Sequence, residues 1–373
     1  MKAGSKILFA AAHRGPYLTI EPLEAELKDQ QICYLVDGVS KTGRTEQGLS
    51  FIDMDRVNKD WGSVEQFILD ENILAVVRST SGGVIEEDVE FLASKAAKQV
   101  GIPVIVIEDF PGNYRQKAEE RLDYLFVEDE SLIEFHSSRG IDRGSIYSCG
   151  NPRYAKLNHV DAVATRQKVR RQLGLSETNR VLLWAGQPDG TDSHLALQRL
   201  LPILDGSHVT LLFRAHPRDR FYIDGGYGEL LSGSPARSWN IADVSTFPDP
   251  IGLYCSSDLV VTQFSSAAVE ASYLGIPALF VLFEDLGKRY LREWKGYDRL
   301  PWCSGGSAFL IEEEQQIDEV LNQALFDGPS RQAVIDNFKQ RFSAKTDGSR
   351  SITNRIQTAV AVSLGGNTDW TKL

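Results

Sequence analysis

Short apolar runs rich in valine, isoleucine and leucine alternate along the chain with longer segments of helical periodicity. That alternation is expected where parallel strands lie buried beneath helices on both faces of a sheet. In the first half the runs predict strands at residues 7–12, 32–36, 74–77, 104–107 and 124–127, with a helix over 87–99. The second half starts the pattern afresh, at 181–185, 209–214, 259–262 and 278–282. Each half has strands enough for its own sheet, so the expected fold is α/β, with two doubly wound Rossmann-like domains. Gly150, Asn151 and Pro152, in "CGNPRYAKL", interrupt both periodicities and mark the seam. The expected limits are 1–150 for the first domain, 151–346 for the second and 347–373 for a C-terminal helix that crosses back to the first. Helical spacing in that tail runs from residue 333 to 363.

Composition narrows the classes. A chain of 373 residues that is 42% hydrophobic supplies two cores and is neither disordered nor fibrous. A formal net charge of -11 argues against a broad nucleic-acid footprint, so an anionic ligand would be held locally. Cys33, Cys149, Cys255 and Cys303 lie far apart, without metal spacing, which predicts a reduced compartment and no zinc site. The opening "KILFAAAH" is too short for a signal segment, and no apolar run approaches the roughly 20 residues of a membrane span. The expected location is cytoplasmic.

Ligands of open α/β sheets sit beyond the carboxyl ends of the strands, which selects the loops to read. In the second half, Gly186, Gln187, Asp189 and Gly190 follow the first strand; such glycines serve close ligand approach or a plain turn. After the next strand come Arg214, His216, Pro217, Arg218 and Arg220, groups suited to a diphosphate, or else a solvated basic turn. Ser265 and Ser266 then open a helix, with Glu270 one turn further in. A serine hydroxyl there caps the helix, and the same junction offers free N–H groups and the positive dipole end to an anion. Glu270 is placed to accept from ribose hydroxyls, or is an exposed helix glutamate. Residues 241–247 are positioned to edge a nucleobase.

In the first half, Glu108 and Asp109 leave a buried strand together. Desolvation and mutual repulsion raise one pKa of such a pair, as a general base near neutral pH requires; the ordinary reading is turn-forming acids facing water. His13, Arg14 and Gly15 follow the first strand, and "RSTSGG" places Arg78, Ser79, Thr80, Ser81, Gly82 and Gly83 at another strand end. Hydroxyls and an arginine suit a sugar or an anionic acceptor. In "DLGKRYLREWKGYDRLPW", Lys288, Arg289, Arg292 and Lys295 interleave with Tyr290, Trp294, Tyr297 and Trp302. Such a stretch stacks on sugars, lies at a membrane surface, or is a helix with one packed face.

The order of "GNPR", "AHP", "SDLVVTQFSSAAVEASYLGIP" and "DGSRSITNRI" resembles the GT-B superfamily. Within it the sequence is similar to capsule and cell-surface glycosyltransferases, including bacterial sialyltransferases, to CDP-glycerol glycerophosphotransferases, and to non-hydrolysing UDP-N-acetylglucosamine 2-epimerases. The likeness spans nearly the whole chain through short motifs. It implies a nucleotide donor on the C-terminal domain and a second substrate on the N-terminal domain across a cleft. It further implies that His216, Ser265 and Ser266 hold donor phosphate, that Glu270 holds ribose, and that an acid at the Glu108/Asp109 strand end handles a proton. Neither a "VEAG" nor an "EDG" string is present, so the choice between Glu108 and Asp109 stays open. The epimerases carry an acid near the position of "RSTSGG", and its absence here counts against epimerase chemistry.

The resulting expectation is a glycosyltransferase that moves a sugar from a nucleotide-sugar donor to a saccharide or lipid-linked acceptor in cell-surface polysaccharide or glycoconjugate synthesis. Glu108 or Asp109 is the expected base; His216, Arg214 and the serine pair would stabilise the departing phosphate. No D-x-D string occurs in a suitable loop, so neither metal nor cofactor is expected beyond the co-substrate. A lipid-linked acceptor would bring the chain to the inner membrane face. The alternatives are a nucleotide-sugar epimerase or hydrolase, an alditol-phosphate transferase, and a non-catalytic nucleotide-binding protein.

Overall fold

The computed structural model describes residues 6–80, 88–204, 209–232, 240–342 and 348–365. The chain forms two compact units, one of Met1–Ala155 with Lys345–Leu373 and one of Lys156–Ala344.

The first unit contains strands β1 (Lys6–Ala11), β2 (Gln31–Val36), β3 (Ile52–Asp53), β4 (Ile73–Ser79), β5 (Val104–Ile107), β6 (Tyr124–Val127) and β7 (Ile146–Ser148). They form one sheet in the order β3-β2-β1-β4-β5-β6-β7, every pair parallel. Side chains alternate across a strand, so an apolar run in a doubly covered sheet feeds two cores. Leu8, Ala10, Val76, Val106 and Leu125 enter one. Ile7, Phe9, Val77, Ile107 and Phe126 enter the other, where Ile352, Ile356 and Ala359 of the helix Gly348–Gly365 join them at helical spacing.

The second unit contains β8 (Arg180–Ala185), β9 (Val209–Arg214), β10 (Asn240–Asp243), β11 (Leu259–Thr262), β12 (Ala278–Val281) and β13 (Phe309–Ile311). The order is β10-β9-β8-β11-β12-β13, again parallel throughout. One face buries Trp184, Phe213, Val261 and Leu279. At the opposite end from the strand-end loops, buried Asp258 accepts from Arg166 and Arg170, each at 2.9 Å, and from the Val181 N–H at 2.8 Å. It thereby ties β8, β11 and the helix Ala162–Gln172 together.

The continuous tail helix expected over 333–363 is instead two helices, Gly328–Arg341 and Gly348–Gly365. The reason lies in packing: Val334 buries against the second unit's core, whereas Ile352 and Ile356 bury against the first's. Among the described residues no helix is long and apolar enough to cross a membrane.

Candidate functional site

Strand order reverses between β1 and β4 and between β8 and β11, so the loops leaving these strands frame a crevice in each unit. In the second unit, Gln187, expected at the site, and Thr262 and Gln263, not singled out as site residues from the sequence, stitch the crevice together. Buried Gln187 donates from Nε2 to Thr262 Oγ1 at 2.8 Å, and Thr262 Oγ1 donates to the Ala185 carbonyl at 2.7 Å. The Ser265 N–H donates to the same Thr262 hydroxyl at 3.3 Å, and Gln263 Nε2 reaches the Thr191 carbonyl at 3.1 Å. Polar side chains at the last position of an apolar strand and directly after it are the signal that would have found Thr262 and Gln263.

Gly186 is where the protein's own backbone requires close approach. A Cβ there would stand 3.2 Å from the Arg214 carbonyl oxygen and 3.3 Å from the His216 nitrogen. The β8 and β9 ends are therefore held backbone to backbone. Arg214 turns its Nη1 to the Phe247 carbonyl at 3.1 Å, and the Ala215 N–H donates to Ser245 Oγ at 2.9 Å. These two bonds draw the loop after β10 toward the site, so Arg214 positions that loop.

The Arg218 N–H donates to His216 Nδ1 at 3.1 Å. An acceptor role at Nδ1 leaves the proton of the neutral ring on Nε2, which becomes a donor. Burial, and then the neighbouring Arg218 guanidinium, lower the His216 pKa and favour that neutral form. Pro217 and Arg218 are exposed beside it. Ser265 is the N-cap of the helix Ser266–Tyr273, its Oγ accepting from the Ala267 N–H at 3.2 Å. The cap expected of this residue type is thus present, and Ser265 and Ser266 both remain part-exposed at the helix start. Glu270 is half-buried one turn into the same helix.

In the first unit the structure separates Glu108 from Asp109. Glu108 is 3% exposed; its Oε1 accepts from the Tyr114 N–H at 3.0 Å and lies 2.9 Å from His136 Nε2, itself fully buried. It is a core group, which corrects its expected place among the catalytic candidates. Asp109, one residue on and therefore on the other side of the chain, is part-exposed. Its Oδ1 accepts from Thr80 Oγ1 at 2.5 Å and from Asn113 Nδ2 at 2.9 Å. Its Oδ2 lies 2.7 Å from where a Cβ on Gly15 would stand. Thr80, Gly15 and Asp109 thus converge from three strand ends.

Arg78 and Ser79 do not join them. Arg78 is buried against Glu120 at 2.9 Å, and Ser79 Oγ donates to the Ile107 carbonyl at 2.6 Å, so neither is available to an acceptor. Ser81, Gly82 and Gly83 lie outside the described residues.

His13 precedes the helix Arg14–Ile20, with its Nε2 3.9 Å from Asp88 Oδ2. The loop that carries it is anchored by Glu90, whose Oε1 accepts from the Ala12 N–H at 2.9 Å, and by Ser40, whose Oγ donates to the His13 carbonyl at 3.1 Å. Glu90 is 1% exposed and burial pushes its pKa up to about 7. Asp88 and Glu90 were not read from the sequence; a glutamate among small residues on a buried helix face was the available signal.

In the aromatic and basic stretch, Lys288 pairs with Glu312 at 2.9 Å, Arg289 with Asp192 at 3.1 Å and Arg292 with Asp298 at 2.6 Å, while Trp302 is buried. Among the described residues no cluster of three or more His, Cys, Asp or Glu side chains is arranged to hold a metal ion.

Residues 95–361 match the profile of the CDP-glycerol:poly(glycerophosphate) glycerophosphotransferase family. No curated protein matches the chain. Among solved structures, the chain is similar to UDP-GlcNAc 2-epimerase from Neisseria meningitidis bound to UDP-GlcNAc, at 16% identity and a TM-score of 0.67, over 95% of this chain and 100% of that one. It is similar to S. aureus MnaA with UDP at 14% identity and a TM-score of 0.65, over 96% and 97%. It is also similar to the wall teichoic acid polymerase TagF, at 18% identity and a TM-score of 0.56, over 96% and 90%. At such identities the likeness speaks for fold, and it identifies the two parallel-sheet units as GT-B. The family profile spans well over half of the sequence, and the chain belongs to the CDP-glycerol:poly(glycerophosphate) glycerophosphotransferase family, a family of transferases.

Proposed function

We propose that the chain transfers an alditol phosphate of the glycerol-phosphate type from a cytidine-diphosphate-activated donor to a hydroxyl of a cell-surface polymer. The observation that carries this reading is His216, held neutral with Nε2 as donor, at the end of β9, on the same sheet edge as the Ser265/Ser266 helix start after β11 and with β8 between them, in a chain of this family. Similarity of the fold to enzymes recorded with UDP-GlcNAc and UDP supports a nucleotide-diphosphate ligand.

In the proposed reaction an acceptor oxygen attacks the β-phosphorus of the donor. The new P–O bond forms as the bond from that phosphorus to the bridging oxygen breaks, and CMP leaves. The His216 Nε2–H, the Arg218 guanidinium and the N–H groups at the helix start meet the charge that develops on the phosphates, a role worth several kcal/mol in comparable sites. Glu270 is assigned to the ribose. In the first unit, the part-exposed Asp109 receives the acceptor's proton, oriented by Thr80 and Asn113, with His13 and the helix start at Arg14 and Gly15 adjoining it. The phosphate charge is assigned to these groups without a divalent cation, so chelation by EDTA leaves the rate unchanged.

The products test the reaction class. Attack at the β-phosphorus of CDP-glycerol releases CMP, whereas glycosyl transfer from a UDP-sugar, attacking a sugar carbon, releases UDP. Incubation with CDP-glycerol or with UDP-sugars, each with a glycerol-phosphate oligomer, separates them. CMP from CDP-glycerol supports the proposal; turnover of UDP-sugars alone overturns it.

A further inference from the structure

Phe264, the residue before the serine pair, stacks on Tyr290 with ring centroids 4.5 Å apart and planes 5° apart. Tyr290 in turn stacks on Trp294, at 5.3 Å and 13°. The column begins at the proposed phosphate site and ends at a tryptophan that is 56% exposed on the helix Arg289–Trp294. Burial raises the Tyr290 hydroxyl pKa and the Arg218 charge opposes the rise, so the column lies within electrostatic range of the basic turn after β9. Beside it opens a recess of about 190 Å3 lined by Gly190, Thr191, Arg289, Tyr290, Glu293 and Trp294. That volume falls below the roughly 300–1,000 Å3 of pockets that enclose a whole ligand, so it suits one ring of a larger substrate.

Charge selects what kind of ring. Arg289 is already paired with Asp192 at 3.1 Å, and Glu293 has no ion-pair partner among the described residues. The rim therefore carries no surplus of positive charge, and a phosphate gains nothing there. Flat aromatic faces edged by carboxylates and a guanidinium suit a neutral, hydroxyl-rich ring, whose C–H face rests on the indole while vicinal hydroxyls meet Glu293 and Arg289. We infer that this recess is a subsite for a neutral saccharide ring of the substrate, with Trp294 as its platform. The inference rests on the transferase reading only for the use made of the sugar, since binding itself does not depend on turnover.

The test uses the full chain and methyl glycosides of neutral hexoses and N-acetylhexosamines, followed by saturation-transfer NMR and calorimetry. Wild type is expected to bind a glycoside through one face of the ring, with affinity lower by at least about fivefold in Trp294→Ala and partly restored in Trp294→Phe. Glu293→Gln, on an exposed position that leaves folding intact, weakens binding without moving the melting temperature. A parallel arm titrates a nucleotide sugar. If Trp294→Ala weakens only the free glycoside the sugar belongs to the acceptor, which supports the subsite; if it weakens both it belongs to a sugar donor, which supports the subsite and removes the CDP-glycerol reaction proposed above. Glycoside binding that is absent, or indifferent to both substitutions, overturns it, as does a stronger effect on glycerol phosphate than on the glycosides. Glycoside binding without CMP release from CDP-glycerol would leave the subsite standing and remove the reaction proposed above.

Discussion

The Asp109 carboxylate lies against the backbone of Gly15, so that a Cβ on that glycine would stand 2.7 Å from Oδ2. Only a residue without a side chain leaves Asp109 where Thr80 and Asn113 hold it. Gly15→Ala should push the carboxylate aside and lower kcat by about 10- to 100-fold, the scale expected when a reacting group moves by an ångström. The melting temperature should stay near that of wild type, because the displaced group is a part-exposed side chain. Steady-state rates and thermal melts on one preparation check both. Full activity in Gly15→Ala would remove Asp109 from its assigned role.

Glu108 makes the opposite prediction. Removing one member of the buried Glu108–His136 pair leaves the other without its partner, a change that costs about 3–5 kcal/mol in such sites. Glu108→Ala and His136→Ala should therefore unfold at markedly lower denaturant. Glu108→Gln, which still accepts from the Tyr114 N–H, should lose much less and keep most of its activity. An intact fold with abolished transfer in Glu108→Gln would return Glu108 to the reaction.

Glu90 links stability to pH. Its folded pKa of about 7 lies above the ordinary carboxylate value of 4.5, so between these the folded chain binds more protons than the unfolded one. Stability falls as pH rises through that window and levels off above it, by roughly 3 kcal/mol in all. Asp88 reinforces the upward shift, while Arg78 and the Ala12 N–H oppose it. Glu90→Gln should raise the melting temperature at pH 8 relative to wild type more than at pH 5. An equal difference at both pH values would contradict the raised pKa.

Ser265 caps a helix in addition to its assigned donor role. Ser265→Ala loses the cap to the Ala267 N–H, costing about 1 kcal/mol, and weakens donor binding as well. Ser266→Ala should weaken donor binding while leaving the Ser265 cap in place. Calorimetric titration of CDP-glycerol beside thermal melts distinguishes them, and donor binding unchanged in both would leave the serine pair a cap alone.

Much of this was legible in the sequence, and what was not has a common cause. The expected central strands all occur, 104–107, 124–127, 209–214 and 259–262 with the expected limits. The strands that escaped notice, β3, β7, β10 and β13, are the outer edges of their sheets. An edge strand pairs on one side only and these span two to four residues, too few to print an apolar run. The same shortfall misplaced Arg78 and Ser79: the apolar run stops at residue 77, but β4 continues to Ser79, which turns both side chains into the sheet. Strand periodicity separates Glu108 from Asp109, yet which of the two enters the core depends on His136, a residue far along the chain. The crevice bonds of Gln187, Thr262 and Gln263 likewise join positions more than 70 residues apart, which local pattern does not encode.

The nucleotide released from CDP-glycerol in the presence of a glycerol-phosphate oligomer, followed for wild type and His216→Gln, tests the assignment of donor and site together. The expected result is CMP in step with oligomer growth, slowed about 100- to 1,000-fold in the variant while its fold is kept. No CMP from the wild-type protein, or CMP at an undiminished rate in His216→Gln, would contradict it.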